Sequence, residues 1–294
     1  MRKFIVSDLH GDGNVYNSIM SYLDNINKEE DVTLYINGDL IDRGYASGEM
    51  LLDVYDRIKN NKGFKIEYLG GNHELLMWEA SDSLGDRSWP VNTAWNYNGG
   101  GLTAFDIESR CSIEMRDKLI SFVGNLKLYH KFEETIEGKN IVLVHAKCPY
   151  KVSDKCDLKI SDSTDSIYDL VWTRSDDDGI KIGNNNYFTI IGHTPSKTPD
   201  GYEYYKCGNY LNIDGGCAYY VNGVESFDHV PLVEVLDNKL VILTFNNSNR
   251  IISGNCFVNG NSYPIPNLDQ YRKYLNPNVK VKRMYFEDDM VFFK

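Results

Sequence analysis

Phe4-Ile5-Val6-Ser7-Asp8-Leu9-His10-Gly11 opens a plan that the chain repeats twice more. Val32-Thr33-Leu34-Tyr35-Ile36 runs into Asn37-Gly38-Asp39-Leu40-Ile41-Asp42-Arg43-Gly44, and Phe64-Lys65-Ile66-Glu67-Tyr68-Leu69 runs into Gly70-Gly71-Asn72-His73-Glu74. Each is a short run rich in β-branched and aromatic residues that ends in polar residues and glycine, which reads as a strand entering a loop. Between the runs, apolar residues recur at helical spacing. Ile19, Leu23 and Ile26 predict a helix over roughly 14–26; Met50, Leu51, Val54 and Ile58 predict a second, and residues 74–81 a third. Strand–helix–strand units in series build a mostly parallel sheet, so the fold class is α/β.

Outward from this core the pattern changes. Residues 82–135 show no clear strand and hold Asn98-Gly99-Gly100-Gly101, which predicts a helical insertion. Ile141-Val142-Leu143-Val144 then ends in His145, and Phe188-Thr189-Ile190-Ile191-Gly192 ends in His193. Further strands are expected at about 210–214, 217–221, 231–236 and 239–245. From Asn246 onward Asn, Tyr, Phe and Pro dominate, with weak alternation at 279–282 and 284–286. The expected division is one domain over 1–245 and a C-terminal extension over 246–294, a small β-structure packed on it.

Composition bounds the function. The 294 residues carry 31 Lys+Arg against 42 Asp+Glu, a formal charge of −11, with 42% apolar and 25% charged residues. That balance fits a chain with a real core and excludes general disorder. The acidic excess weighs against a broad grip on nucleic acid. It leaves room for a small phosphate ligand, because a metal or an arginine can invert the local field. No run approaches 18 apolar residues, so no membrane helix is expected. Six scattered cysteines without a C-x-x-C pair suit a reduced compartment, and the cytoplasm is the expected location.

In open α/β sheets, ligands bind beyond the carboxyl ends of the strands. Five runs here end in groups able to bind metal or phosphate: Asp8 and His10, Asp39, Asn72 and His73, His145, and His193. A lone histidine after a strand is more often structural, but five such ends in one fold are hard to attribute to chance. Carboxylate, imidazole and amide oxygen together form a mixed O/N set suited to Mn, Fe, Zn, Co or Ni. Six protein ligands are too many for one catalytic ion with an open position; shared through a bridging carboxylate, they suit two.

Taken in order, Asp8-Leu9-His10-Gly11, Gly38-Asp39-Leu40-Ile41-Asp42-Arg43-Gly44, Gly71-Asn72-His73-Glu74, His145 and Gly192-His193 resemble the motifs of calcineurin-like metallophosphoesterases. The G-D-x-x-D-R-G and G-N-H-E forms resemble the PPP family of serine/threonine protein phosphatases. Asn98-Gly99-Gly100-Gly101, Val171-Trp172-Thr173-Arg174 and Gly192-His193-Thr194-Pro195 resemble its bacterial and phage branch, typified by the phage lambda phosphatase. The resemblance covers about residues 1–245, and Ser7 departs from it by replacing the glycine that often precedes the first Asp.

The resemblance implies a β-sandwich of mixed sheets flanked by helices, in four α/β/β/α layers. It implies two divalent ions, with Mn favoured over Fe, Zn, Ni or Co. Asp8, His10 and Asp39 would hold the first ion, Asp39 bridging to the second, which Asn72, His145 and His193 complete. His73 would be the general acid, oriented by Asp42, while Arg43 and Arg174 bind phosphoryl oxygens. The implied substrate is a phosphoprotein or phosphopeptide, or a small phosphorylated molecule. The alternative is a nucleotide, such as a dinucleoside polyphosphate or cyclic nucleotide, with Tyr97 a candidate to stack a base. Glu74 reads as structural, and His130 and His229 as structural or surface residues. Asp12 is a weak candidate for a supporting role, and Gly99–Gly101 read equally as a turn or as neighbours of the phosphate.

Overall fold

Two sheets pack face to face, and the reason lies in the alternation along their strands. The computed structural model describes residues 1–81, 89, 92–162, 165–174, 182–195, 197–198, 201–202, 204–223, 229–258, 260–279, 284–287 and 290–293. The chain begins β1 (Arg2–Val6), α1 (Gly13–Asn27), β2 (Val32–Asn37), α2 (Ser47–Asn60), β3 (Lys65–Leu69) and α3 (Asn72–Ser81). All six residues of β2 are buried, as a strand covered on both faces requires. Asp12 caps α1 by accepting from the Asn14 and Val15 amides at 3.0 and 3.2 Å. The three expected helices are present.

A π-helical turn (Asn96–Gly100) leads into α4 (Gly101–Arg110) and α5 (Ile113–Gly124), so the insertion is helical as expected through residue 124. It ends in a strand that the sequence reading missed, β4 (Tyr129–Ile136). A register shift between Lys131 and Thr135 spaces its buried Tyr129, Phe132 and Ile136 by three and four residues. That bulge imitates a helical period and hides the strand. Next come β5 (Lys139–Val144), α6 (Asp165–Trp172), β6 (Phe188–Ile191), a ribbon of β7 (Lys197–Thr198) and β8 (Gly201–Tyr202), β9 (Tyr205–Cys207) and β10 (Tyr210–Asn212).

Residues 217–220, expected as part of a strand, form the short helix α7 (Cys217–Tyr220). The Asp214 Oδ1 accepts from the Gly216 amide at 2.8 Å, and Gly216 adopts φ 82°. This local turn overrides the strand preference of Cys217-Ala218-Tyr219-Tyr220. The chain ends with β11 (His229–Leu236), β12 (Lys239–Asn246), β13 (Arg250–Val258), β14 (Asn261–Pro264), α8 (Asp269–Arg272), β15 (Met284–Glu287) and β16 (Met290–Phe293). Of the weakly alternating 279–282 segment, residues 280–282 lie outside the described residues.

One sheet runs β14-β13-β12-β11-β1-β2-β3 and the other β4-β5-β6-β10-β9. β1, β2 and β3 are parallel, as are β5, β6 and β10, while β11 to β14 join antiparallel. The first sheet is therefore mixed rather than mostly parallel. Ile5, Tyr35 and Ile242 meet Leu143, Phe188 and Ile190 between the sheets. On the outer side, Phe4, Leu34 and Leu243 pack on Ile19, Leu23 and Ile26 of α1. The result is an α/β fold of mixed sheets with helices outside. β13 continues the sheet at its edge, and Leu268, Tyr271 and Tyr274 pack on the outer core. Among the described residues, no helix is long and apolar enough to cross a membrane, and all six cysteines are free.

Candidate active site

The C-terminal ends of β1, β2, β3, β5 and β6 converge on one region, and each delivers a polar loop. Among the described residues, ten non-glycine residues have positive φ, and Asp8, His10, Asp39, Asp42, Arg43 and His193 are six of them. Left-handed backbone costs energy at such residues and persists where the surroundings over-determine it. It lets consecutive loop residues aim side chains inward that a continuing strand would alternate.

Asp39 lies at the centre, 3% exposed at its side chain. Its Oδ2 is 3.5 Å from His10 Nε2, and its Oδ1 is 3.4 Å from His145 Nε2. The Asn72 Oδ1 lies 3.0 Å from His145 Nε2 and 2.9 Å from His193 Nδ1. The far ring nitrogens are fixed by carbonyls: His10 Nδ1 by Ile41 at 3.2 Å, His145 Nδ1 by Asn37 at 2.8 Å, and His193 Nε2 by Trp172 at 3.1 Å. Such anchoring sets the tautomer and turns the other nitrogen toward Asp39 and Asn72. Two groups of donor atoms result, His10–Asp39–His73 and Asp39–His145–His193, each with all atoms within 4.8 Å and with Asp39 common to both. Asp8 belongs to neither group; its carboxylate accepts the His193 amide at 3.0 and 3.1 Å and the Ser7 hydroxyl.

Burial and charge set the protonation of these side chains. Burial raises Asp8 well above the usual range, and Asp214 adds to the shift. Burial acts the same way on Asp39, but His145 and His73 outweigh it and hold Asp39 well below the ordinary value. Burial depresses His145, yet Asp39 overcomes it and lifts the ring to about 10. Burial and His73 push His10 far down, so its contact with Asp39 is not an ion pair. His193 falls to about 3 through burial and the nearby His145. Two buried carboxylates, an amide oxygen and three anchored imidazoles match the ligand preferences of two borderline divalent cations, which would claim the imidazoles neutral and the carboxylates ionised.

A second network adjoins the first. His73 Nδ1 donates to Asp42 Oδ2 at 2.7 Å. Asp42 is fully buried and also accepts from Trp95 Nε1 at 2.8 and 3.0 Å and from the Thr103 hydroxyl at 2.6 Å. On the other side of the ring, Arg43 Nη2 is 3.1 Å from His73 Nε2. Arginine only donates, so Nε2 accepts in this arrangement. Burial lowers His73, but Asp39 and Asp42 outweigh it and raise the ring above its ordinary pKa. Gly99, at φ 97°, accepts the Arg43 amide at 3.2 Å, and a Cβ there would lie 2.8 Å from Arg43 Cγ. Arg174 is exposed and shares a cavity of about 250 Å³ with Arg43, His73, His10 and His193.

Glu74 is structural in a specific sense, because its carboxylate holds the amides of Asp39, Leu40 and Gly71. Asp12 serves as the α1 cap and accepts from Asn247, away from the donor groups. His130 packs against Tyr35 and Phe132. Trp95, Thr103 and Asp214 were missed. Asp214 lines the cavity, buried, with its pKa raised to about 7 chiefly by burial. Its signal was present, since Tyr210-Leu211-Asn212-Ile213 ends in Asp214-Gly215-Gly216 like the other strand ends. Trp95 and Thr103 had none.

Comparison with known proteins gives the family and the fold. The sequence model of the calcineurin-like phosphoesterases matches residues 1–223. No curated protein matches the chain. Among solved structures, a protein serine/threonine phosphatase from Saccharomyces cerevisiae aligns with a TM-score of 0.54 at 14% identity, over 84% of this chain and 80% of that one. A cold-active protein-tyrosine phosphatase of a psychrophilic Shewanella aligns with a TM-score of 0.50 at 14% identity, over 90% of this chain and 80% of that one. At such identity the likeness is one of fold.

Proposed function

We propose, from the premise that the chain belongs to the calcineurin-like phosphoesterase family, that it removes phosphate from phosphoserine and phosphothreonine in proteins and peptides. Metal-dependent phosphoester hydrolysis follows from the family; the monoester and protein specificity is the proposal. The supporting observation is that Asp39 is common to two groups of buried imidazoles where five strands end. Asp8, His10 and Asp39 would hold one ion and Asp39, Asn72, His145 and His193 the other, with Mn the favoured metal. When bound, such a pair supplies an activated water and positive charge for in-line displacement.

The chain's own groups do the rest. Arg43 and Arg174 line the same cavity and grip the phosphoryl oxygens, for which a planar fork is suited. A phosphoryl oxygen that draws Arg43 away frees His73 Nε2, so the ring can carry a proton there. Asp42, saturated by Trp95 and Thr103, keeps the Nδ1 proton in place and supports the imidazolium. His73 then protonates the leaving alkoxide, a step worth about 10²–10⁴-fold. The catalytic unit is assigned to residues 1–245 and the remainder to an extension that docks on its outer core.

The test is a panel of Mn-loaded wild type and His73→Asn on a phosphothreonine peptide and diadenosine tetraphosphate. The expected result is peptide turnover by the wild type, and a kcat about 10²-fold or more lower in His73→Asn with about two metals still bound per chain. Unchanged turnover in the variant overturns the acid role. Faster cleavage of the dinucleotide overturns the protein substrate.

A further inference from the structure

The cavity above the histidines does not end at Arg43. Arg43, Asn98 and Asn222 line both it and an open groove of about 560 Å³ whose outer wall includes Tyr97 and Leu102. Tyr97 is 77% exposed and Leu102 48%. One turn further along α4, Phe105 is 72% exposed, and its i+3 spacing puts it on the Leu102 face. Large apolar side chains gathered on one face mark an interaction surface more often than single exposed ones do. The opposite face of α4 is buried at Thr103, Ala104 and Ile107. Asn98 Nδ2 donates to the Ala94 carbonyl at 2.8 Å, and Gly99 accepts from Arg43. The wall is therefore built before any substrate arrives.

Charge decides what the groove fits. Arg43 is the only charged side chain among the described residues lining it. A dinucleoside polyphosphate brings several further negative charges, and these walls offer no second cation to meet them. A peptide brings backbone amides for Asn96 and Asn222 and can place an apolar side chain on Leu102 and Phe105. α4 rises about 6 Å from Gly101 to Phe105, which an extended peptide covers in about two residues.

Building on the phosphatase reading above, we infer that this groove selects phosphopeptides with a large apolar residue about two to three positions from the phosphorylated one. Leu102 and Phe105 are specificity-determining residues that contact the flanking side chain; neither takes part in the chemistry.

The experiment compares two phosphothreonine peptides that differ only in carrying leucine or serine at the flanking positions. Mn-loaded wild type, Leu102→Ser, Phe105→Ser and the double variant are assayed, with melting temperatures as the check on folding. The expected wild-type preference for the leucine peptide is about tenfold in kcat/KM, falling toward unity in the double variant. The single variants report the same loss should the double variant not fold. Equal wild-type rates on the two peptides overturn the groove and leave the phosphatase reading standing. A preference that survives in every folded variant also overturns it. No turnover of either peptide or of p-nitrophenyl phosphate, with metal bound, overturns the phosphatase reading and the groove with it.

Discussion

Replacing Glu74 by glutamine tests how the metal-site loops are held. The Glu74 side chain is fully buried, and its carboxylate accepts four hydrogen bonds. Oε2 takes the amides of Asp39 and Gly71, each at 2.8 Å; Oε1 takes the Leu40 amide at 3.1 Å and the Tyr68 hydroxyl at 2.6 Å. A glutamine has one oxygen and one NH2. With NH2 in the Oε2 position, the amides of Asp39 and Gly71 both lose their acceptor. With NH2 in the Oε1 position, Tyr68 can turn its hydroxyl and accept, and only the Leu40 amide is orphaned. The second arrangement is cheaper, so the cost is one buried N–H facing a donor, about 1–3 kcal/mol. Loss of charge assistance in the bonds that remain adds about 1 kcal/mol. The sum is about 2–4 kcal/mol, or about 4–8 °C in Tm for a chain of this size. Because Asp39 is displaced with its amide, Mn affinity should fall about 10–100-fold. Calorimetry of metal-free protein and a Mn titration measure the two effects. Tyr68→Phe, which leaves every backbone amide served, should cost only about 1 kcal/mol. A Glu74→Gln protein that melts within about a degree of wild type and binds Mn equally well refutes the role given to this carboxylate.

Gly99→Ala puts a methyl 2.8 Å from Arg43 Cγ on a backbone at φ 97°; KM for a phosphopeptide should rise about tenfold with Mn binding intact, and an unchanged KM counts against Arg43 as a phosphate ligand. Trp95→Phe removes the indole donor from Asp42 and should cost about 1.5–3 kcal/mol in urea denaturation. Its kcat should fall about tenfold while KM holds; an unchanged kcat would mean that Asp42 needs no such support. His130 is held at about 4, mainly by burial, with Glu67 raising it and Lys3, Lys127 and Lys65 lowering it. Below its ordinary value of 6.5 the unfolded chain takes up a proton that the folded chain refuses. Stability is therefore lost as pH falls from 6.5 toward 4, by at most about 3 kcal/mol. His130→Phe should flatten the change in urea midpoint between pH 7 and pH 4.5; parallel profiles would show that His130 is not the responsible group.

The strand ends were legible because two independent signals coincide in them. β2 is a continuous apolar run, and Gly38-Asp39 follows it at once, so the same residues announce the element and its chemistry. The helices α1 and α2 were equally plain from spacing. Partnership between distant segments was not legible. β11 reads as a strand, but nothing in His229–Leu236 says that it lies antiparallel beside β1, more than 220 residues earlier. β4 failed for a different reason, its bulge having broken the period on which a strand is recognised. α7 failed because one carboxylate–amide bond at Asp214 outweighs a four-residue preference. The supports of Asp42 are the most instructive loss. Trp95 and Thr103 lie 53 and 61 residues from Asp42, in a segment without a motif, and only the packing of α4 brings them there.

Two mechanical units meet at His73. The strand-end loops, tied together by Glu74, place the donors around Asp39. The insertion places the proton donor and the phosphate grip: Thr103 and Trp95 hold Asp42, and Gly99 backs Arg43. Asp106 on α4 accepts the Glu49 amide at 3.0 Å, which also fixes the insertion to the first turn of α2. The units therefore fail differently. Glu74→Gln should lose metal first and activity through it, so that excess Mn restores turnover. Trp95→Phe should keep its metal and lose kcat at any Mn concentration. A Trp95→Phe protein rescued by Mn would show the two networks to be one, because Asp42 would then be supporting the donors around Asp39 and not the proton on His73.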